Sequence, residues 1–100
     1  MDKQQIYKEM ITDIVKKKFS LYGQALVSKI SATGLVNLSP DGEVIAISGD
    51  PKKALEGVLG VFKEIAGNVG VTSAVTALKV FSMKYAEVKP EIDEAVGKFV

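Results

Sequence analysis

The sequence contains no cysteine and no histidine, and its 13 basic residues are all lysines. Without cysteine there is no disulfide and no thiolate, a composition that fits a reducing compartment. Without histidine and cysteine, the usual ligands for zinc, copper and haem are missing, as is the commonest acid–base group at neutral pH. Without arginine there is no planar guanidinium for bidentate binding of phosphate, carboxylate or guanine. We therefore expect no metal, no cofactor and no catalytic site.

Charge is nearly balanced, with a formal net charge of +1 and lysines interspersed among the acidic residues. A nucleic-acid or membrane-surface binder normally carries a clear basic excess. The single basic run is Lys16, Lys17 and Lys18. It falls in the last turn of a predicted helix, where cations are favoured by the helix dipole. Weak nucleic-acid binding through this run is kept as an alternative, and its affinity would collapse with added salt.

The length of 100 residues, 47% of them apolar, predicts a single domain covering residues 1–100. A chain this short buries only about two thirds of its unfolded surface, so oligomerisation is a common source of extra stability. The first ten residues are polar, unlike a signal peptide. The longest uncharged stretch, Ile65–Leu78, has fourteen residues, fewer than the ~18–20 of a membrane span. We expect a cytoplasmic protein that does not bind a membrane.

Two helices are predicted before the middle of the chain. Residues Lys3–Phe19 carry apolar side chains at helical spacing, and Ser20 is placed to cap a second helix that continues to Ile30. Gly34 suits a left-handed position after its end. The sequence leaves open whether the two helices form one bent helix. The buried stripe of the first helix would comprise Ile6, Tyr7, Met10, Ile11, Ile14 and Val15.

A β-hairpin is the clearest local signal. Two apolar segments, Leu35–Leu38 and Glu43–Ser48, flank the four residues Ser39–Gly42. Proline fixes φ at the second position of this turn, and glycine takes the position that needs positive φ. After the second strand, Asp50 is expected to cap a new helix whose first residue is Pro51.

The remaining sequence predicts further helices. The first is Pro51–Ala66, ended or kinked at Gly67. The next, from about Asn68 to Val88, repeats apolar residues every three or four positions, as a helix packed at a shallow angle does. A short helix, Glu91–Val100, follows Lys89-Pro90. The fold class is therefore α+β and mostly helical: two N-terminal helices, one hairpin, two helices and a short C-terminal helix.

The hairpin is predicted to be paired or covered, because two strands alone are marginal in water. The strand Val44–Ile47 is apolar on both sides. Strict alternation would place Val44 and Ala46 on one face. It would place Ile45 and Ile47 on the other. Either helices of the same chain cover this strand, or two chains pair their hairpins across a two-fold axis. We favour self-association.

The apolar repeat on the predicted helix from about Asn68 to Val88 provides a second possible self-association surface. Small residues there would allow a close approach, either to the preceding helix of the same chain or to a second copy. The residues that we predict to take part in self-association are Val44, Ile45, Ala46, Ile47, Val71, Ala74, Leu78, Phe81 and Tyr85.

The stretch GLVNLSPDGEVIAISGDPKKALEGVL resembles a small module of archaeal-type proteins. That module has the pattern GLxV-x-DGxVxxIxGDPxxxLxxLV after two N-terminal helices and before a long helix. The agreement lies in Asp41–Val44, Ile47 and Gly49–Pro51, which are mainly turn and cap positions; elsewhere the order of elements agrees and identity is loose. The resemblance implies a helix–helix–hairpin–helix fold and a regulatory or interaction role, with no assigned activity.

The hairpin also resembles the one in roadblock-type dimerisation domains, where a strand–DG–strand unit precedes a helix. That family needs further strands after the helix, whereas Val69–Val88 has helical spacing. The resemblance would imply dimerisation through paired hairpins.

Our first functional hypothesis is a non-enzymatic homo-oligomer that acts as an interaction or regulatory module, binding itself and an unidentified protein partner. The alternative is a protein that binds a small apolar molecule in a cleft between helices. The predicted lining of that cleft is Tyr22, Phe62, Phe81, Met83 and Tyr85.

Overall fold

The computed structural model describes residues 2–99 and is α+β and mostly helical with one β-hairpin, as predicted. Three α-helices, two strands and one 3₁₀ turn make up this part of the chain. In order they are α1 (Lys3–Ala32), β1 (Val36–Leu38), β2 (Val44–Ile47), α2 (Pro51–Lys84), the 3₁₀ turn Ala86–Val88, and α3 (Lys89–Gly97).

The number and boundaries of the N-terminal helices differ from the prediction. Helix α1 is one element, capped by the Asp2 carboxylate, which accepts a hydrogen bond from the backbone N–H of Gln5 (2.9 Å). It bends sharply at Gly23, where φ is 56° and ψ is −140°. This conformation is accessible to glycine and strained for other residues. Ser20 lies inside the helix and does not start a new one.

Helix α2 begins where the sequence predicts, with Asp50 as the cap and Pro51 as the first residue. The Asp50 carboxylate accepts a hydrogen bond from the N–H of Lys52 (3.0 Å). At Gly67, φ is 63° and ψ is −150°, so the helix bends at the predicted glycine and then resumes. The two predicted helices are therefore one broken element.

The end of the chain also differs from the prediction. Helix α2 stops at Lys84, and the predicted continuation to Val88 forms a 3₁₀ turn instead. Helix α3 starts at Lys89, with Pro90 in its first turn, where a missing N–H costs no hydrogen bond. It ends at Gly97, and the predicted end at Val100 lies outside the described residues.

The hairpin has the predicted turn and an unpredicted β-bulge. The Gly42 N–H donates to the Ser39 carbonyl (3.0 Å), and Gly42 has φ of 91°. Leu38 pairs with Val44, but the next pair along β1 is Asn37 with Ala46. The bulge therefore makes Ile45 an extra residue of β2 and changes which side chains share a face.

The predicted alternation of β2 is therefore wrong. Val44 is buried, Ile45 and Ala46 are both exposed, and Ile47 is half-buried against the core. Within residues 2–99, the sheet consists of β1 and β2. It therefore lacks the additional strands of a roadblock-type domain.

The core lies between α1, α2, α3 and the inner face of the hairpin. The predicted stripe of α1 is confirmed, because all six of its side chains are at most 1% exposed. Apolar burial of this kind is the main stabilising term in a domain of this size. The other large and fully buried side chains are Leu26 and Ile30 in the second part of α1, Leu55, Leu59 and Leu78 in α2, and Ile92 in α3.

Candidate interaction surface

The hairpin offers little apolar surface to a partner. Ile45 is 53% exposed and Ala46 is exposed, but Val44 is buried on the chain's own helices. The backbone N–H of Val44 donates to the Thr12 hydroxyl of α1 (3.0 Å). A strand from a second copy would have to displace that hydrogen bond to pair with β2 at this residue.

The helical residues predicted for self-association face their own chain. Val71, Ala74 and Leu78 are at most 2% exposed and lie in or against the core. Phe81 and Tyr85 are half-buried, with their rings stacked at a centroid separation of 6.4 Å. The Tyr85 hydroxyl donates to Glu9 on α1 (3.3 Å). A second copy could reach the first three side chains only after α2 separates from this core.

The opposite side of the same helix segment carries an apolar surface that the sequence reasoning missed. We define the α2 outer face as Val69, Thr72, Thr76, Val80 and Met83, all exposed. The valines are 76% and 63% exposed, and the methionine is 85% exposed. These residues recur every three or four positions over about 21 Å of helix. A second apolar repeat beside the first is the signal that could have identified this face.

The two threonines make the α2 outer face less polar than its composition indicates. The Thr76 hydroxyl donates to the Thr72 backbone carbonyl (3.1 Å), one turn earlier in the helix. Because this hydrogen bond stays within the helix, the Thr76 hydroxyl has a partner without water. Lys79 and Lys84 border the face, and the Lys84 ammonium lies 5.2 Å from the centre of the Tyr85 ring.

A shallow polar groove of about 630 Å³ lies over the exposed side of α1. It contains four lysines and three carboxylates, so its charge is nearly balanced. Lys17, from the predicted basic run, forms an ion pair with Asp13 (2.9 Å). The lining residues are Gln5, Lys8, Glu9, Thr12, Asp13, Lys16, Lys17, Glu43, Val44, Phe81 and Lys84.

A smaller cleft of about 220 Å³ opens between α1 and the second half of α2. Of the residues predicted to line an apolar cleft, Phe62 lies here. Phe81 lines the polar groove instead, and Met83 is on the α2 outer face. The cleft is lined by Ile14, Lys17, Lys18, Phe62, Ser73, Ala74 and Ala77.

A buried tyrosine joins α1 to α3. The Tyr7 hydroxyl donates to Glu91 (2.8 Å), which also forms an ion pair with Lys3. Burial, reinforced by the neighbouring carboxylate, raises the pKa of Tyr7 well above its usual value. The hydrogen bond from Lys3, followed by that from Tyr7, lowers the pKa of Glu91. Each group has its partners within the chain, so this arrangement is explained by packing.

Two further properties bear on function. Within residues 2–99, no group of three or more histidine, cysteine, aspartate or glutamate side chains is placed to hold a metal ion. Helix α2 is long and apolar enough to cross a membrane by length and composition, with a mean hydropathy of 1.2 over its most apolar 18 residues. Core helices of soluble proteins meet the same criterion, and 39% of that window is buried in this chain.

No protein-family model, curated protein or solved structure matches the chain. Its function is therefore inferred from its own surfaces.

Proposed function

We propose that this domain is a non-enzymatic interaction module that forms a homodimer through the α2 outer face. The observation that carries the proposal is an uncharged stripe with three large apolar side chains, each 63–85% exposed. Large exposed apolar side chains aligned on one uncharged helix face mark this surface as a candidate for a protein–protein contact. The stripe also lies on a helix whose other side is packed into the core.

A second copy of the chain is the partner that this stripe fits best. A two-fold interface brings the same patch of both subunits together and so needs a self-complementary surface. The stripe is symmetric about Thr76, with seven residues on either side. In an antiparallel pair, Met83 of one copy meets Val69 of the other, and Val80 meets Thr72. Met83 therefore packs against the smaller Val69, and Val80 against Thr72, which has the same shape.

The lysines that border the stripe select the antiparallel arrangement. By the helical period, Lys79 and Lys84 lie on opposite flanks of the stripe. In a parallel pair, opposite flanks of the two copies meet, so Lys79 of each copy lies close to Lys84 of the other. In an antiparallel pair, equal flanks meet and run in opposite directions, so the two copies of Lys84 lie about 24 Å apart along the helices and neither lies near Lys79. Like charges at the shorter spacing repel, so the parallel arrangement is disfavoured.

The expected dimer is weak. A stripe about 21 Å long on a helix about 10 Å wide is smaller than the ~800 Å² that each partner buries in a standard interface. We therefore expect association in the micromolar range or weaker, as in transient regulatory contacts. Reversible self-association of this strength is compatible with exchange for another protein that presents a similar helix.

Cysteine cross-linking tests the proposal directly, because the chain has no cysteine of its own. In the antiparallel dimer the two copies of Thr76 face each other, so Thr76→Cys should form a disulfide-linked dimer under mild oxidation. Met83→Cys alone should not, because its two copies lie about 21 Å apart. Ser28→Cys, on an exposed part of α1, is the control for random collision.

The remaining outcomes are equally informative. A mixture of Val69→Cys and Met83→Cys chains should form mixed dimers. Efficient linking of Met83→Cys to itself would instead indicate a parallel pair. If Thr76→Cys links no faster than Ser28→Cys, the α2 outer face is not a self-association surface.

A further inference from the structure

Two glycines fold the second half of α2 against the first. Gly67 makes the bend, with φ of 63° and ψ of −150°. A Cβ added at Gly70 would lie 2.7 Å from the Ala66 Cβ and 2.9 Å from the backbone oxygen of Phe62. In a straight helix, Cβ atoms four residues apart are about 5–6 Å apart, and residues eight apart are separated by about 12 Å along the axis. Gly70 therefore permits a close approach that the bend requires.

Both glycines are also compatible with a straight helix. Helical backbone angles are open to glycine, although alanine prefers them more strongly. The chain is already helical on both sides of Gly67, so straightening changes the backbone angles at essentially one residue. A Cβ at Gly67 would meet no described atom within 4 Å, so no neighbouring side chain holds this residue in place.

A straight α2 does not fit inside one folded chain. Its 34 residues would span about 51 Å, whereas the longest dimension of the folded chain is 32 Å. Straightening would carry residues 68–99 away from α1 and expose Val71, Leu78 and Ile92, which are at most 2% exposed in the bent form. Exposure of such side chains is strongly unfavourable in water. An open chain therefore needs a second copy that covers them.

A second open copy of this chain supplies the complementary surface. If each copy places its residues 68–99 on the α1 and first half of α2 of the other, every contact of the closed form is made again between the two chains. Only the backbone at the hinge differs between the two forms. Exchange of this kind is a low-cost route to a dimer.

The bend in α1 lacks the second feature of the α2 bend. Gly23 has a similar backbone conformation, but no other glycine follows it in α1. The α2 bend instead depends on both Gly67 and Gly70, one through its φ and the other through its missing side chain.

We propose that the bend at Gly67 and Gly70 is a hinge, and that its opening exchanges residues 68–99 between two copies of this chain. The closed monomer prevails at low concentration, and the exchanged dimer accumulates at high concentration. Exchange is slow, because the core between α1 and α2 must separate first. The proposal is independent of the dimer through the α2 outer face, which points away from α1 in both forms.

Cross-linking of native ion pairs in isotope-mixed protein tests the proposal. Lys3 on α1 pairs with Glu91 on α3, and Lys98 pairs with Glu56 in the first half of α2 (3.0 Å). Each pair joins residues 68–99 to the rest of the chain. A carbodiimide converts such a pair into an amide, and peptide mass spectrometry shows whether the two residues came from one chain or from two. The ¹⁴N- and ¹⁵N-labelled chains are refolded together from urea at high concentration, so that slow opening does not limit the exchange.

Lys29 and Glu64 provide the internal control. They form an ion pair (2.8 Å) between α1 and the first half of α2, on the same side of the hinge. Links between them should always carry a single label, whereas the Lys3–Glu91 and Lys98–Glu56 links should include mixed labels in the isolated dimer.

Two outcomes would overturn the assignment. If both diagnostic links carry single labels in the native protein, residues 68–99 are not exchanged. If Lys3–Glu91 links are mixed and Lys98–Glu56 links are not, the exchanged segment is the first half of α1 and the hinge is Gly23.

Substitutions at the hinge should favour the exchanged dimer. Gly67→Ala and Gly70→Ala each disfavour the bend and favour a straight helix, at two hinges per dimer. Each should raise the association constant of the exchanged dimer by about thirtyfold or more. Gly60→Ala is the matched control, because Gly60 is helical in both forms and a Cβ there makes an ordinary contact of 3.7 Å with the Phe99 ring. An equal increase for Gly60→Ala would show that the bend is not the hinge.

The two proposals fail separately. Val80→Glu alters the α2 outer face alone, so it should weaken the dimer formed there and leave the mixed Lys3–Glu91 and Lys98–Glu56 links intact. Disulfide formation by Thr76→Cys without mixed ion-pair links would support the α2 outer face and reject the hinge.

Discussion

At the scale of single residues, two glycines determine the path of the helical chain. Gly23 and Gly67 both combine a positive φ with an extended ψ, and helix continues on either side of each. Each therefore breaks a long helical segment without an intervening loop. A side chain at such a position is strained even where space is available.

Gly67→Ala is expected to destabilise the protein by about 1–3 kcal/mol, because alanine rarely adopts this backbone conformation. The described chain places no atom within 4 Å of a Cβ at this position, so the cost is conformational and not steric. For a domain of this size, each kcal/mol lowers Tm by about 4–8 °C. Differential scanning calorimetry measures the change.

Gly97→Ala is the matched control. Gly97 has an ordinary φ near the end of α3, and a Cβ there also meets no described atom within 4 Å. Alanine should be neutral or stabilise the helix by up to about 1 kcal/mol. A loss of stability equal to that of Gly67→Ala would show that the positive φ is not the cause.

Glu91 should make the stability depend on pH. Its pKa is lowered in the folded protein, first by the hydrogen bond from Lys3 and then by that from Tyr7. The stabilisation is therefore fully present above the usual pKa of glutamate and is lost as the pH falls through the lowered value. Glu91→Gln should remove this component, which we expect to be about 1 kcal/mol because Lys3 is largely exposed.

Urea denaturation from about pH 7 down to about pH 3 checks this expectation. The difference between the native protein and Glu91→Gln should shrink steadily on the acidic side. A difference that is constant across the range would mean that the carboxylate's charge contributes nothing.

At the scale of elements, α2 is apolar on two sides and only one of them is used inside the chain. Val71, Ala74 and Leu78 pack inward. The α2 outer face remains exposed, and the hairpin contributes mainly Ile45 to the exposed apolar surface. Two copies could therefore meet through the α2 outer face or through the hairpin, and substitutions on each surface distinguish the two.

Val80→Glu should shift the protein to monomer, because it places two charges in the middle of an apolar contact. Ile45→Lys should leave the dimer intact. Ser28→Glu is the control for an added negative charge at an exposed position. Sedimentation equilibrium over a concentration series gives the three dissociation constants. If Ile45→Lys abolishes the dimer and Val80→Glu does not, the strands pair and the helices do not.

At the scale of the whole molecule, the net charge is near zero. The effect of salt on binding distinguishes an apolar dimer from a nucleic-acid complex. An apolar dimer bordered by lysines should be unchanged or strengthened when NaCl is raised from about 50 mM to about 500 mM, because salt screens the lysines. Nucleic-acid binding by Lys16–Lys18 would instead be lost over the same range.

Native mass spectrometry of the protein from its own source would report subunit number and bound ligand together.

The sequence by itself determined the features that act within a few residues. Asp50 and Pro51 start α2 because a carboxylate cap and a fixed φ operate in the first turn. The Ser39–Gly42 turn forms because proline and glycine each supply the required φ. The inward stripe of α1 follows from its helical period alone. The break at Gly67 is also placed correctly by the sequence, but the cost of glycine in a helix does not determine it alone, because Gly57, Gly60 and Gly70 of the same helix keep helical geometry.

The tertiary structure alone decided what depends on distant residues. The bulge at Ile45 reverses the expected faces of β2 next to a hydrogen bond between Val44 and Thr12, which is 32 residues away. Helix α2 has two apolar repeats, one that contains Leu78 and one that forms the α2 outer face. The helical period does not determine which of them is buried within the chain. Because α1 packs against one side of α2, Leu78 is buried and Val80 is exposed. The same packing leaves the α2 outer face exposed and the cleft between the two helices open. Propensity is a property of neighbours in sequence, whereas burial and free surface are properties of neighbours in space.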